Sequence, residues 1–181
     1  MDLAFLIFLP PLMRGGPDLN RTRLLTTIAV FVAIGTLGAQ LLWFPAGVAK
    51  AYPVQHAVNV MAAVTLGPGP AVIIAFMIGL LRNMLGLGTL LAFPGGMVGA
   101  FLAGWLYRVT DKKGMAALGE AFGTGIIGSL FAVPFARILL GSSAGAFFFM
   151  PSFLVSSISG ALIGWFVVSR VNQANLLENR V

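Results

Sequence analysis

Cysteine is absent from the chain. That excludes a disulfide framework, thiol chemistry and a cysteine-ligated metal site. Histidine occurs once, whereas a metal centre wants several His or carboxylate ligands. Charged residues make up only 9% of the chain, against 59% hydrophobic. A soluble core of this size would not need so few charges. The run Gly67-Pro68-Gly69-Pro70 is not followed by Lys-Ser/Thr and is no phosphate-binding loop; it reads as a turn between helices. No catalytic residue and no metal ligand set is therefore expected.

What the chain does have is six apolar stretches, at 22–44, 53–66, 70–85, 89–107, 115–139 and 151–169. About 20 helical residues cross the hydrocarbon core, so four of the stretches are long enough to cross alone. The second and third are short, as is usual where a bundle leaves a cavity. Lipid cannot satisfy backbone polar groups, so helices are expected rather than open strands. The predicted fold is an all-α integral membrane protein, a compact bundle of six transmembrane helices. It comprises an N-terminal cytoplasmic or interfacial stub over 1–21, a substrate-binding domain over 22–170 and a cytoplasmic tail over 171–181. Met1–Leu9 is apolar but short, lacks a basic segment before it, and reads poorly as a signal peptide.

The net charge of +6 comes from residues at helix ends, so it is no nucleic-acid signature. With the N-terminus inside, Arg14, Arg21, Arg23, Arg108, Lys112, Lys113, Arg170 and Arg180 lie on the cytoplasmic side. Lys50, Arg82 and Arg137 lie towards the outside. The positive-inside rule thus selects N-in and C-in. In that frame none of Asp2, Asp18, Asp111, Glu120 and Glu178 falls in the outer half of a helix. Glu120 is expected to pair with Lys112, Lys113 or Arg108. A proton- or sodium-coupled carrier usually holds an intramembrane carboxylate. With none expected, and no ATP site, energy must come from a partner.

Small residues recur four apart: Ala29 and Ala33, Gly35 and Ala39, then Gly96, Ala100 and Gly104, Gly119 and Gly123, Gly160 and Gly164. Such spacing lets backbones approach closely. Most of these are expected to serve packing inside the bundle. Ala29 and Ala33 are the candidates for docking to another membrane protein, with Gly160 and Gly164 next.

Polar residues gather on the outer side: Lys50, Gln55, His56, Asn59, Arg82, Asn83, Thr89, Arg137, Ser152 and Ser156, with Phe93 among them. On a helix Gln55, His56 and Asn59 can converge. One interpretation is structural: Lys50 solvated, Arg82 and Arg137 snorkelling to headgroups, His56 bonded within the packing. The other is one outward-open pocket capped by Phe93, Phe135, Phe147, Phe148 and Phe149. The clustering on one side favours the pocket. A small intramembrane enzyme would need convergent acids or metal ligands, and a purely structural subunit would leave the polar cluster without a role.

The run Lys50-Ala-Tyr-Pro-Val-Gln-His-Ala-Val-Asn59, then Gly67-Pro68, then Arg82-Asn83-Met-Leu-Gly-Leu-Gly-Thr-Leu-Leu-Ala-Phe-Pro-Gly95, closely resembles the ThiW family. These are substrate-binding S components of energy-coupling factor (ECF) transporters. The resemblance implies a six-helix S-component fold in a bacterial or archaeal cytoplasmic membrane. It implies import of a thiamine precursor, hydroxyethylthiazole or its phosphate, or, as the alternative, of another vitamin. It also implies a transmembrane coupling protein and two cytoplasmic ATPase subunits as partners, with ATP used there and no cofactor in this chain. The family's AxxxA docking motif falls on Ala29 and Ala33. Within that frame, three outer cations with no nearby carboxylate point to a partly anionic ligand, such as a phosphorylated thiazole.

Overall fold

The computed structural model describes residues 21–47, 49–88, 90–141 and 143–178. The expected N-terminal stub lies almost wholly outside these residues. Helix α1 (Arg21–Leu41) is followed by an antiparallel hairpin of β1 (Phe44–Ala46) and β2 (Ala49–Ala51), with Phe44 opposite Ala51. Then come α2 (Pro53–Leu66), α3 (Pro68–Met84), a 3₁₀ turn (Leu90–Ala92), α4 (Phe93–Thr110), α5 (Lys113–Phe122), a π-helical segment (Gly123–Gly128), α6 (Ser129–Leu140) and α7 (Ala146–Glu178). The backbone stays right-handed helical at Gly123 and Gly128, so α5, the π segment and α6 form one continuous rod. The described residues thus form six helical rods, as the six apolar stretches predict.

Several boundaries differ from those expected. The first stretch ends its helix at Leu41, because Phe44–Ala46 and Ala49–Ala51 form the hairpin instead. The fourth helix starts at Phe93, after the 3₁₀ turn, and Pro94 in its first turn costs it no internal hydrogen bond. The last helix runs on to Glu178, beyond the predicted tail boundary. Three rods are long and apolar enough to cross a membrane by length and composition: Arg21–Leu41, Lys113–Ile138 and Phe147–Val171. The fourth stretch, expected among them, is not.

Proline and glycine punctuate α2 and α3. Pro53 opens α2, where its missing N–H is one of the orphans of a helix start anyway. Gly67 alone separates the two helices, at φ 87°, which a side chain would resist.

Helix α2 is the centre of the bundle. Val58, Val60, Ala62 and Ala63 are wholly buried and meet Ala71, Ile74 and Ile78 of α3 and Ala100 and Ala103 of α4. Glycines on α7 let it approach α2 backbone to backbone. A Cβ on Gly160 would collide with Pro53 O, and one on Gly164 would stand 2.7 Å from Ala57 O. Gly160 lies near the middle of the apolar span Phe147–Val171. Helix α2, roughly 21 Å long for its 14 residues, therefore begins near mid-span rather than at its end. The hairpin fills the level above. Ser152 Oγ donates to Ala46 O, and Tyr52 N donates to Ser156 Oγ at 2.8 Å, which ties the hairpin to α7.

The small-residue pairs divide by role. Gly35 and Ala39 face inward on α1, with Gly35 against Ile78, while Ala29 and Ala33 are exposed. Gly119 and Gly123 face Leu102, Ala103 and Gly99 of α4, and Gly104 faces Pro68. Gly160 and Gly164 belong to the internal packing. This removes them as the second docking surface: their face is occupied by α2.

Candidate functional site

The first turn of α2 opens into a cavity of about 350 Å³. Tyr52, Gln55 and His56 form its floor. Ser152, Phe153 and Ser156 of α7 form one wall, and Arg82 with the Gly86–Leu87–Gly88 loop forms another. Ala49 and Lys50 of the hairpin cover it, and Thr124 enters from the π segment.

Arg82 is buried, and its Nε has no hydrogen-bond partner among the described residues. One terminal guanidinium nitrogen donates to Gln55 Oε1 and the second terminal nitrogen donates to Leu87 O at 3.1 Å. The guanidinium also stacks on the Tyr52 ring, 3.8 Å from its centroid. It therefore fastens the α3–α4 loop to the start of α2. Gly86 gives that loop its turn at φ 70°. Lys50 is exposed and sits 4.0 Å from the centroid of the Trp43 ring, a cation–π contact within the hairpin.

Behind the floor lies a carboxylate. Glu120 is fully buried. Its Oε1 receives His56 Nδ1 at 2.8 Å, Asn59 Nδ2 at 3.0 Å and Thr124 Oγ1 at 2.9 Å. Asn59 Nδ2 also donates to Gly96 O at 3.2 Å, and Thr124 Oγ1 lies 3.1 Å from Gly95 O. Glu120 Oε2 and Asn59 Oδ1 are buried without a partner. This overturns the expected pairing of Glu120 with Lys112, Lys113 or Arg108, and with it the premise that no carboxylate lies near the outer polar cluster. Glu120 and Thr124, four apart, face α4 and not the helix end. Gly99 makes the room, since its Cβ would stand 2.7 Å from Glu120 Oε2. Lys113 instead donates to Val168 O at 2.9 Å.

Of the residues expected to meet, Lys50, Gln55, His56, Arg82, Ser152 and Ser156 line the cavity. Asn59 does not; it holds the network behind His56. Asn83 donates to Gly79 O of its own helix at 2.8 Å and does not line the cavity. Phe93 packs edge-on against Phe76, with centroids 5.2 Å apart, also away from the cavity. Arg137 is exposed on α6 and takes no part in the lining. Thr89 lies outside the described residues. The aromatic cap is not formed by Phe135, Phe147 or Phe148, which are exposed, nor by Phe149, which packs on Ala132 and Ala136. The lining aromatics are Tyr52 and Phe153. Phe153 follows Ser152 directly, and Thr124 stands one turn after Glu120; those spacings were the available signals.

Residues 25–174 match the model of the family described as thiamine-precursor transporter protein (ThiW). The matched stretch contains every residue that lines the cavity. No curated protein and no solved structure matches the chain.

Proposed function

Because this multi-pass membrane protein belongs to the thiamine-precursor transporter (ThiW) family, we propose that it is the substrate-capture S component of an ECF-type importer. Its ligand is hydroxyethylthiazole, taken from outside the cell. The observation that carries this reading is the covered cavity of about 350 Å³ at the start of α2. Small-molecule pockets begin near this size and combine apolar walls with a few placed polar groups. A thiazole ring suits the faces of Phe153 and Tyr52, and its hydroxyl suits the polar floor.

Six crossings with both termini cytoplasmic put this cavity on the outer side. The exposed Ala29 and Ala33 on α1 offer a face without Cβ crowding for a transmembrane coupling protein. Two cytoplasmic ATPase subunits then supply the energy. The alcohol is favoured over its phosphate. Arg82 is already committed to Gln55, Leu87 and Tyr52, and Arg137 is remote.

Mass spectrometry of the small molecule that co-purifies, followed by isothermal titration with hydroxyethylthiazole and its phosphate, tests the proposal. The alcohol should be recovered and should bind more tightly. Recovery of a different vitamin would reassign the substrate. Uptake that persists without the ATPases, and collapses with a protonophore, would replace the ECF reading with a proton-coupled carrier using Glu120.

A further inference from the structure

Hydrogen positions behind the cavity follow from the heavy atoms. Gly96 O can only accept, so the Asn59 side-chain atom facing it is the NH₂ group. The same NH₂ faces Glu120 Oε1, so that oxygen accepts. His56 Nδ1 meets the same oxygen at 2.8 Å, and two acceptors cannot bond, so Nδ1 carries a hydrogen. This holds for the carboxylate and for an acid that carries its proton on Oε2. His56 lines the cavity and Glu120 does not. With Nδ1 turned back to Glu120, the edge bearing Nε2 is the polar edge of the ring left for the cavity. With Nδ1 carrying the hydrogen, the neutral ring has a lone pair at Nε2.

Three other polar atoms of the cavity are engaged elsewhere. Gln55 Oε1 accepts from Arg82, Ser152 Oγ donates to Ala46 O, and Ser156 Oγ accepts from Tyr52 N. His56 itself is held against α7, because Gly160 brings that backbone close to its Cβ.

The geometry points to Glu120 as a positioning residue that fixes His56 so that Nε2 accepts a hydrogen bond from a hydroxyl on the ligand. This inference rests on the thiazole reading above and deepens it. The cavity then selects a ligand that donates at this point, a free alcohol, over one that can only accept there. Discrimination of this kind is steep, because an unmatched buried acceptor keeps its full desolvation cost.

Titration of the intact protein with three probes tests it: hydroxyethylthiazole, its O-methyl ether and 4-methyl-5-ethylthiazole. The alcohol should bind about tenfold or more tightly than either of the others, the loss expected for one buried hydrogen bond. In His56→Asn the shorter amide still reaches towards Glu120 but presents nothing at the Nε2 position. The alcohol-to-ethylthiazole ratio should fall to near one. In Glu120→Ala the ratio should fall likewise, and Glu120→Gln, which keeps an acceptor for Nδ1–H, should restore it. An ether that binds as well as the alcohol would overturn the inference, as would a ratio that survives in His56→Asn. Failure of all three probes to bind the wild-type protein would instead overturn the thiazole reading, and the inference with it.

Discussion

Asn59 illustrates how a residue can matter to a site it does not touch. Its amide joins Gly96 O on α4 to Glu120 on α5 while its own backbone belongs to α2. Asn59→Ala leaves a buried carbonyl and a buried carboxylate each short of a donor, at a cost of about 1–3 kcal/mol. The ligand-free protein in detergent should therefore melt at a lower temperature. An unchanged melting temperature would mean that the network contributes little to the fold. Arg82 makes the complementary case. Arg82→Lys keeps the charge but loses the planar fork that spans Gln55 and Leu87 O and stacks on Tyr52. Hydroxyethylthiazole should bind this variant about ten- to a hundredfold more weakly, read by isothermal titration. Unchanged affinity would show that the α3–α4 loop need not be fastened for binding.

Helix α2 shows what its sequence made legible and what it left hidden. Its boundaries could be read, because Pro53 and Gly67 leave little choice. Its depth could not be. That depends on the approach to Gly160 and Gly164 of α7, about a hundred residues later, and the glycine spacing alone did not say which helix they face. The same gap hid Glu120. Distance along the chain made its neighbours Lys112 and Lys113, whereas the bundle supplies His56, Asn59 and Thr124. The hairpin stayed hidden too, because its hydrogen bonds to α7 come from short Ser side chains with no strand-like run to announce them. Two substitutions at small residues should therefore behave oppositely. Gly160→Ala puts a methyl group against Pro53 O and should destabilise the protein by about 1–3 kcal/mol, seen as a lower melting temperature. Ala29→Trp with Ala33→Trp places its bulk on an exposed face of α1. It should leave ligand binding by the isolated subunit nearly intact and abolish co-purification with the coupling protein. Loss of both would place these alanines in the bundle's own packing; persistence of both would move the docking surface to another helix.

At the scale of the whole molecule, the proposed orientation places Asp111 inside and Gly145 outside, and both are exposed. Single cysteines at these positions in the naturally cysteine-free chain should label from the cytoplasmic and the outer face respectively. Outer labelling at position 111 would turn the cavity to the cytoplasm and sink the capture reading. The tie between the hairpin and α7 has a consequence for biogenesis. Tyr52 and Ser156 are 104 residues apart, and Ala46 and Ser152 are 106 apart. During synthesis the hairpin and the start of α2 emerge long before the helix that holds them. Until the last rod leaves the ribosome and inserts, the nascent chain has a floor for its ligand but no finished wall. On the capture function proposed above, a chain that stops before Ser152 lacks this wall and should bind no ligand.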